Sequence, residues 1–324
     1  MRTTRTLLGA AAASAGVAAV QGWRTRAARR RISWAPGIGA RHDGALRART
    51  IGDGPVGVVL LHGLCGSNAY WGGAYDALAG TGRLVVPDLL GFGDSPRPPS
   101  GYTAADHVEA LLALLDELGV TGPVIVGAHS LGCLVALALA ERRPDLVAGI
   151  VALCPPLYRD EAEARRRVAR IGWLEHQIAT GSPLAHAVCR WACAHHRAAV
   201  AIATVLRPGL PPVIRADALR HTWASYSQTF DRVLAAAEGG RWLAGVQVPV
   251  ELIAGTADPV VDLGYLRGLA GTLSHVTLTI RDGADHDLPL TDPAGAVAAL
   301  VTASRLLPRP PARLAAEEAP EVAR

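Results

Sequence analysis

Short apolar runs alternating with stretches of helical spacing constrain this chain more than any other feature. Residues 56–61 and 123–128 are almost uninterrupted Val, Leu, Ile, Gly and Ala, bounded by Gly or Pro. A strand with one wet face alternates polar and apolar residues, so such runs predict strands buried on both faces. Residues 83–87, 146–153, 248–254 and 275–281 supply further strands. Between them, residues 108–118 carry leucines at helical spacing. Residues 131–142 form a Leu/Ala-rich helix that stops before Pro144. Buried strands connected by helices predict an α/β fold, a mostly parallel central sheet with helices on both faces.

Residues 156–245 interrupt that rhythm. They hold no good strand but three helical stretches, 160–179, 183–206 and 212–238, and four of the seven tryptophans. The expected organisation is an α/β core from 32–155 and 246–308, a helical cap over 156–245, an Arg-rich apolar leader over 1–31 and a loose Pro/Ala/Glu tail over 309–324.

The strongest chemical signal is Ala128-His129-Ser130-Leu131-Gly132, where a predicted strand runs directly into a predicted helix. Such a sharp turn crowds the backbone, so the positions two before and two after the serine must be small. The turn lifts the hydroxyl above the sheet and points a helix N-terminus, with its unbonded amides, at it. Alone, the pattern also describes a serine capping a helix. Three other segments accompany it: Leu61-His62-Gly63-Leu64-Cys65-Gly66, where a second amide can complete an oxyanion hole, Gly255-Thr256-Ala257-Asp258-Pro259, and Gly283-Ala284-Asp285-His286-Asp287. Each follows a predicted strand, so a serine, an aspartate and a histidine gather at the carboxyl edge of one sheet, where open α/β sheets place their sites.

With these motifs the chain resembles the α/β-hydrolase family, specifically its capped single-domain members, over residues 45–306. Asp88-Leu89-Leu90-Gly91-Phe92-Gly93-Asp94-Ser95 also matches a loop of that family. The one departure, Ala128 where the short signature has Gly, is frequent among its members. The resemblance implies Ser130 as nucleophile, Asp258 as acid, His286 as base, and the Leu64 and Leu131 amides as oxyanion hole. Serine at 130 argues against the dehalogenase and epoxide-hydrolase branches, which need a carboxylate nucleophile. Asp262 is a rival acid, but it opens the next helical pattern. Asp285 and Asp287 adjoin His286 too closely in sequence to orient it.

Charge says where the protein sits more than what it does. The whole chain has 32 basic and 28 acidic residues, a net charge of +4. Seven arginines and no acid lie in 1–31, leaving 32–324 at −3, with no basic stripe for nucleic acid. The leader's apolar run, 7–20, has signal-peptide length, yet five arginines follow it at 24–31 and resist translocation. A cytoplasmic body weakly associated with a membrane is expected, with export and a plain soluble arm as the alternatives. The five cysteines show no framework spacing and read as reduced thiols. Cys189 and Cys193, with His195 and His196 beyond, have part of a metal-ligand pattern. Because a second ligand pair is not evident, ordinary helix packing is expected there, and neither a metal nor a cofactor. The run of arginines in 165–170, interleaved with Glu161 and Glu163, reads as a solvated helix face.

The expected activity is a serine carboxylesterase acting through an acyl-enzyme on small to medium apolar esters. Trp173, Trp191, Trp223 and Tyr226 of the cap, with His62, Gly63 and His129 beside the nucleophile, are the pocket-lining candidates. The alternatives are a C–C hydrolase of ring-cleavage diketones, a cofactor-free perhydrolase or haloperoxidase, and a ligand receptor on a hydrolase scaffold. Oligomeric state is not legible.

Overall fold

The computed structural model describes residues 32–307, without the side chains of 173 and 174. The leader and the tail expected at 1–31 and 309–324 lie outside the described residues. Eight strands form one sheet in the order β1-β2-β4-β3-β5-β6-β7-β8. These are β1 (Ala40–Asp43), β2 (Arg47–Ile51), β3 (Val56–Leu61), β4 (Arg83–Pro87), β5 (Val124–His129), β6 (Val147–Leu153), β7 (Val250–Gly255) and β8 (Val276–Arg281). From β4 onward every neighbouring pair is parallel, while β1 and β2 form an antiparallel hairpin at one edge. Every residue of β3 and β5 is buried, as strands covered on both faces require.

The covering layers explain the sequence of each helix. The helices α1 (Ala104–Glu117) and α2 (Leu131–Arg142) pack together on the sheet. A capping box starts α1, Thr103 with Asp106, and its buried residues lie on one face. Residues Leu131 to Ala140 of α2 are buried on every side, so this helix is apolar all round instead of amphipathic. Its alternating Leu and Ala let it wedge between sheet, α1 and the following segment.

That segment joins β6 to β7 and is entirely helical: α3 (Glu161–Val168), α4 (Trp173–Ala179), α5 (Pro183–Ala194), α6 (His196–Leu206), α7 (Pro212–Asp217), α8 (Trp223–Thr229) and α9 (Gly239–Gly245). The expected helices over 160–179, 183–206 and 212–238 are each broken. The chain turns between α3 and α4 at Gly172, between α5 and α6 at His195, and between α7 and α8 at 218–222. A wide π turn, Phe230–Leu234, continues α8. Arg165 pairs with Glu161 and Asp231, and Arg167 with Glu163 and Asp262, so the expected solvated face instead ties α3 to neighbouring segments. The core closes with α10 (Leu263–Thr272), α11 (Leu288–Thr291) and α12 (Pro293–Ala303). Among the described residues no helix is long and apolar enough to cross a membrane.

Candidate active site

Parallel pairing sets the position of the site. Leu61 of β3 lies opposite Ala128 of β5, and Gly255 of β7 lies opposite Arg281 of β8. The loops after β3 and β5 therefore leave the sheet side by side, as do those after β7 and β8. All four leave at the carboxyl edge.

Ser130 occupies the turn from β5 into α2 with φ 50° and ψ −122°, a left-handed backbone that costs a β-carbon residue about 1–3 kcal/mol. Burial of β5 and α2 on every side holds it there. A β-carbon at position 132 would lie 2.6 Å from the Leu61 carbonyl oxygen and 2.7 Å from that of His62. Only glycine lets the first turn of α2 approach β3 so closely. Gly63 packs equally directly on the nucleophile turn, since a β-carbon there would meet Ser130 Cβ at 3.1 Å. The Leu131 amide belongs to the helical first turn, which has no intrahelical partner for its N–H groups.

The loops bring the three expected side chains together. Ser130 Oγ donates to His286 Nε2 over 2.9 Å, and His286 Nδ1 donates to Asp258 Oδ2 over 2.8 Å. Asp258 is fully buried at its side chain, whereas that of His286 is 27% exposed. The other oxygen of Asp258 accepts from the amide of Val260 at 2.8 Å and from that of Val261 at 3.4 Å. Burial pushes the Asp258 carboxyl up, but these hydrogen bonds and the His286 ring outweigh it and hold it below the ordinary value. Burial likewise opposes a charged His286, and the Asp258 carboxylate, helped by Asp287 and Asp285, outweighs it and raises that pKa.

The flanking histidines have other work. His129 Nε2 donates to the His286 carbonyl over 2.9 Å, and its ring stacks on Tyr70 with centroids 4.8 Å apart. Burial lowers its pKa to about 3, so it stays neutral and clamps the β8 loop. Tyr75 grips the same loop through Pro289, its hydroxyl donating to that carbonyl over 2.9 Å. His62, like His129, reads from sequence as structural or pocket-lining. It is fully buried, with Nδ1 donating to the Gly63 carbonyl at 2.7 Å and Nε2 accepting from the Leu89 amide at 2.9 Å. Burial lowers its pKa to about 4. It therefore braces the Leu64 loop from beneath and offers no ring nitrogen to a ligand.

Asp262, the rival acid, caps α10 by accepting from the Tyr265 amide at 3.0 Å, and Arg159 and Arg167 hold its other oxygen at 2.8 Å. The loop after β4 is also fixed by a carboxylate. Asp88 accepts from the Asn68 and Asp94 amides, and burial raises it to about 6.

The aromatic candidates divide. Tyr226 is buried, with Trp223 stacked on it at 6.4 Å. Trp191 is 43% exposed and stacks on His195. It lies in a shallow 420 Å³ depression with Pro183, His186, Ala187, Arg190 and Ala194, none of them a member of the Ser130 cluster. Trp191, a pocket-lining candidate, thus lies largely open to solvent in this depression on α5. The side chain of Trp173 lies outside the described ones. Residues that sequence reasoning missed are Tyr70, Tyr75 and Cys154. The Cys154 thiol sits at the end of β6 beside Asp258, with Sγ 3.8 Å from the Asp285 carbonyl. Strand-end position was the available signal for Cys154; none marked the two tyrosines.

The model of the alpha/beta hydrolase fold matches residues 57–176. The chain is 28% identical over 270 residues to "Probable lysophospholipase BODYGUARD 4" of Arabidopsis thaliana, covering 76% of this chain and 63% of that protein. Against BODYGUARD 5 of the same plant the share of the relative is 59%, so the chain spans about three fifths of the length of these relatives. Lipase LipV of Mycobacterium tuberculosis is 37% identical over 141 residues, covering 38% of this chain and 53% of the lipase. In three dimensions the chain is similar to E-2-(acetamidomethylene)succinate hydrolase, with a TM-score of 0.63 and 22% identity over 82% of this chain and 98% of that one. That structural likeness concerns the fold, and it agrees with the family match. These likenesses agree on one point: the chain has the α/β-hydrolase fold and is similar in sequence to members of that family.

Proposed function

We propose that the protein is a serine carboxylesterase that cleaves apolar esters through an acyl-enzyme. The observation that carries this reading is the unbroken line of hydrogen bonds from Ser130 Oγ through His286 to Asp258, 2.9 and 2.8 Å, anchored on a strained turn. A serine hydroxyl is a weak nucleophile near neutral pH. His286 Nε2 takes its proton as Oγ attacks the ester carbonyl carbon. The buried Asp258 carboxylate keeps the ring in the tautomer whose Nε2 can accept, and stabilises the imidazolium. The carbonyl oxygen gains negative charge facing the Leu64 and Leu131 amides, and one such donor is worth about 3–4 kcal/mol of barrier. His286 then protonates the leaving alcohol, and water, deprotonated by the same ring, releases the acid.

Residues 156–245 act as the cap. Ser67, in the loop that follows β3, donates to Asp217 of α7 at 2.6 Å, which ties this segment to the loop that carries Leu64. An apolar acyl chain is the substrate part that such a lid accommodates. Relatives named as a probable lysophospholipase and a lipase favour esters over diketones and peroxides.

Ser130→Ala tests the assignment directly. Wild-type protein is expected to react with a fluorophosphonate probe and to hydrolyse aryl esters of graded chain length, and the variant to do neither. Labelling and turnover that survive in the variant would place the nucleophile elsewhere.

A further inference from the structure

Cys189 and Cys193 lie one turn apart on α5, so both thiols leave the same face of that helix. The turn between α7 and α8 brings His221 to that face. Cys189 Sγ is 3.9 Å from His221 Nδ1, and the two sulfurs and this nitrogen all lie within 4.8 Å of one another. His195 and His196, next to the cysteines in sequence, are not the partners. His195 Nδ1 is bonded to the Trp191 carbonyl and its ring is stacked on Trp191, while His196 opens α6.

Two sulfurs and an imidazole suit a thiophilic cation. A tetrahedral Zn²⁺ site has bonds of about 2.3 Å to sulfur and 2.0–2.1 Å to nitrogen, which puts its ligand atoms roughly 3.5–3.8 Å apart. The 3.9 Å contact is already close to that spacing. Cys193 is exposed and Cys189 half-buried, so an ion has a path from solvent. The His221 ring is kept in place by Tyr226, 5.4 Å between centroids.

We propose that Cys189, Cys193 and His221 form a binding site for a thiophilic divalent metal ion of the Zn²⁺ class, clipping α5 to the α7–α8 turn. On binding, each thiol releases a proton to solvent and ligates as thiolate. Without the metal, His221 Nδ1 donates to the Thr222 carbonyl at 3.2 Å and the Cys193 thiol to the His221 carbonyl at 3.2 Å, so binding breaks both contacts and shifts the imidazole proton to Nε2, freeing Nδ1 for the metal, which keeps its oxidation state. Water completes the coordination. Occupancy ties α5 to the α7–α8 turn and so stiffens the helical segment.

The test uses the full chain, reduced and stripped with chelator, titrated with Co²⁺ as a spectroscopic probe. One equivalent is expected to produce thiolate-to-cobalt charge-transfer absorption in the near ultraviolet and intense tetrahedral visible bands, both removed by Zn²⁺. Cys189→Ser, Cys193→Ser and His221→Asn are each expected to weaken Co²⁺ binding by about tenfold or more. The competing cluster His129–Cys154–His286 has ligand atoms within the same 4.8 Å limit, so Cys154→Ser serves as the control and leaves the bands in place. Circular dichroism of each variant shows that it is folded. Absence of the bands in reduced wild type, their survival in C189S/C193S, or their loss in C154S overturns the proposal.

Discussion

Replacing Asp258 by asparagine removes one charge and leaves the shape, so its effects follow from the geometry. In the wild type, Oδ2 accepts the Nδ1 proton of His286 at 2.8 Å while Oδ1 takes the amides of Val260 and Val261. An asparagine that keeps its oxygen on those amides must turn its NH₂ toward His286. Nδ1 then becomes the acceptor, Nε2 carries the proton, and Ser130 loses its base. The wrong tautomer in such a triad costs roughly 10⁴ in kcat, about 5 kcal/mol at 1.36 kcal/mol per decade. The pH profile changes as well. Burial alone lowers the His286 pKa, and the carboxylate is what raises it. Activity needs the neutral ring, so the acid limb of kcat/KM, above the ordinary 6.5 in wild type, moves to lower pH in the variant. Stability follows the same interaction. The contribution of a raised His286 is present below 6.5 and is lost as pH rises through its folded pKa. That of a depressed Asp258 is present above 3.8 and is lost as pH falls through its folded pKa. The difference in melting temperature between wild type and variant is therefore largest near pH 5 and smaller at pH 8. Stopped-flow or steady-state hydrolysis of an aryl ester from pH 5 to 9, with melting curves in the same buffers, measures both. A variant within tenfold of wild-type kcat, or an acid limb that stays in place, refutes the assignment of Asp258.

Asp262→Ala separates the two candidate acids: loss of the α10 cap costs about 1 kcal/mol and lowers the melting temperature, while kcat/KM stays within a few-fold of wild type. A fall in kcat/KM comparable to that of the Asp258 variant would reverse the two roles. Gly132→Val places a side chain against the Leu61 and His62 carbonyls, costing about 1–3 kcal/mol, and moves the Leu131 amide away from Leu64. Chemical denaturation and kcat should both report the loss, and unchanged values would mean that the first turn of α2 has room to spare.

Legibility in the sequence tracked the kind of interaction involved. The strands from β3 to β7 announced themselves because burial on both faces demands near-continuous apolar residues, whereas β8, Val-Thr-Leu-Thr-Ile-Arg at the other edge, showed through its alternation of apolar and polar residues. The hairpin of β1 and β2 did not. Its strands, Ala-Arg-His-Asp and Arg-Ala-Arg-Thr-Ile, expose polar side chains at the sheet edge and carry no apolar run. Helix content between β6 and β7 was readable, but its breaks were not. Gly172 and His195 stand at those breaks without a proline or an Asn-Gly-type turn signal to mark them.

Ser130, Asp258 and His286 were legible because each stands at the end of a predicted parallel strand, and parallel strands deliver their loops to one edge. The serine turn even carries its own local signature, since backbone crowding restricts its neighbours to small residues. The work of His62 and His129 was not legible. A histidine beside a nucleophile has the same sequence whether it faces a ligand or braces a loop, and only the 2.7–2.9 Å backbone contacts of its ring decide. The exposure of Trp191 was not legible for a related reason: helical spacing tells which residues share a face, but not whether that face meets the core or solvent. His221 lies 28 residues beyond Cys193, and no local pattern connects them; the meeting depends on how α5 packs against the turn before α8. The sequence by itself determined the layered α/β fold and the strand ends where chemistry collects, because burial and backbone crowding act over a few neighbouring residues. Tertiary structure alone decided which side chains face one another, because that depends on long-range packing, where distant segments meet at distances no local spacing encodes.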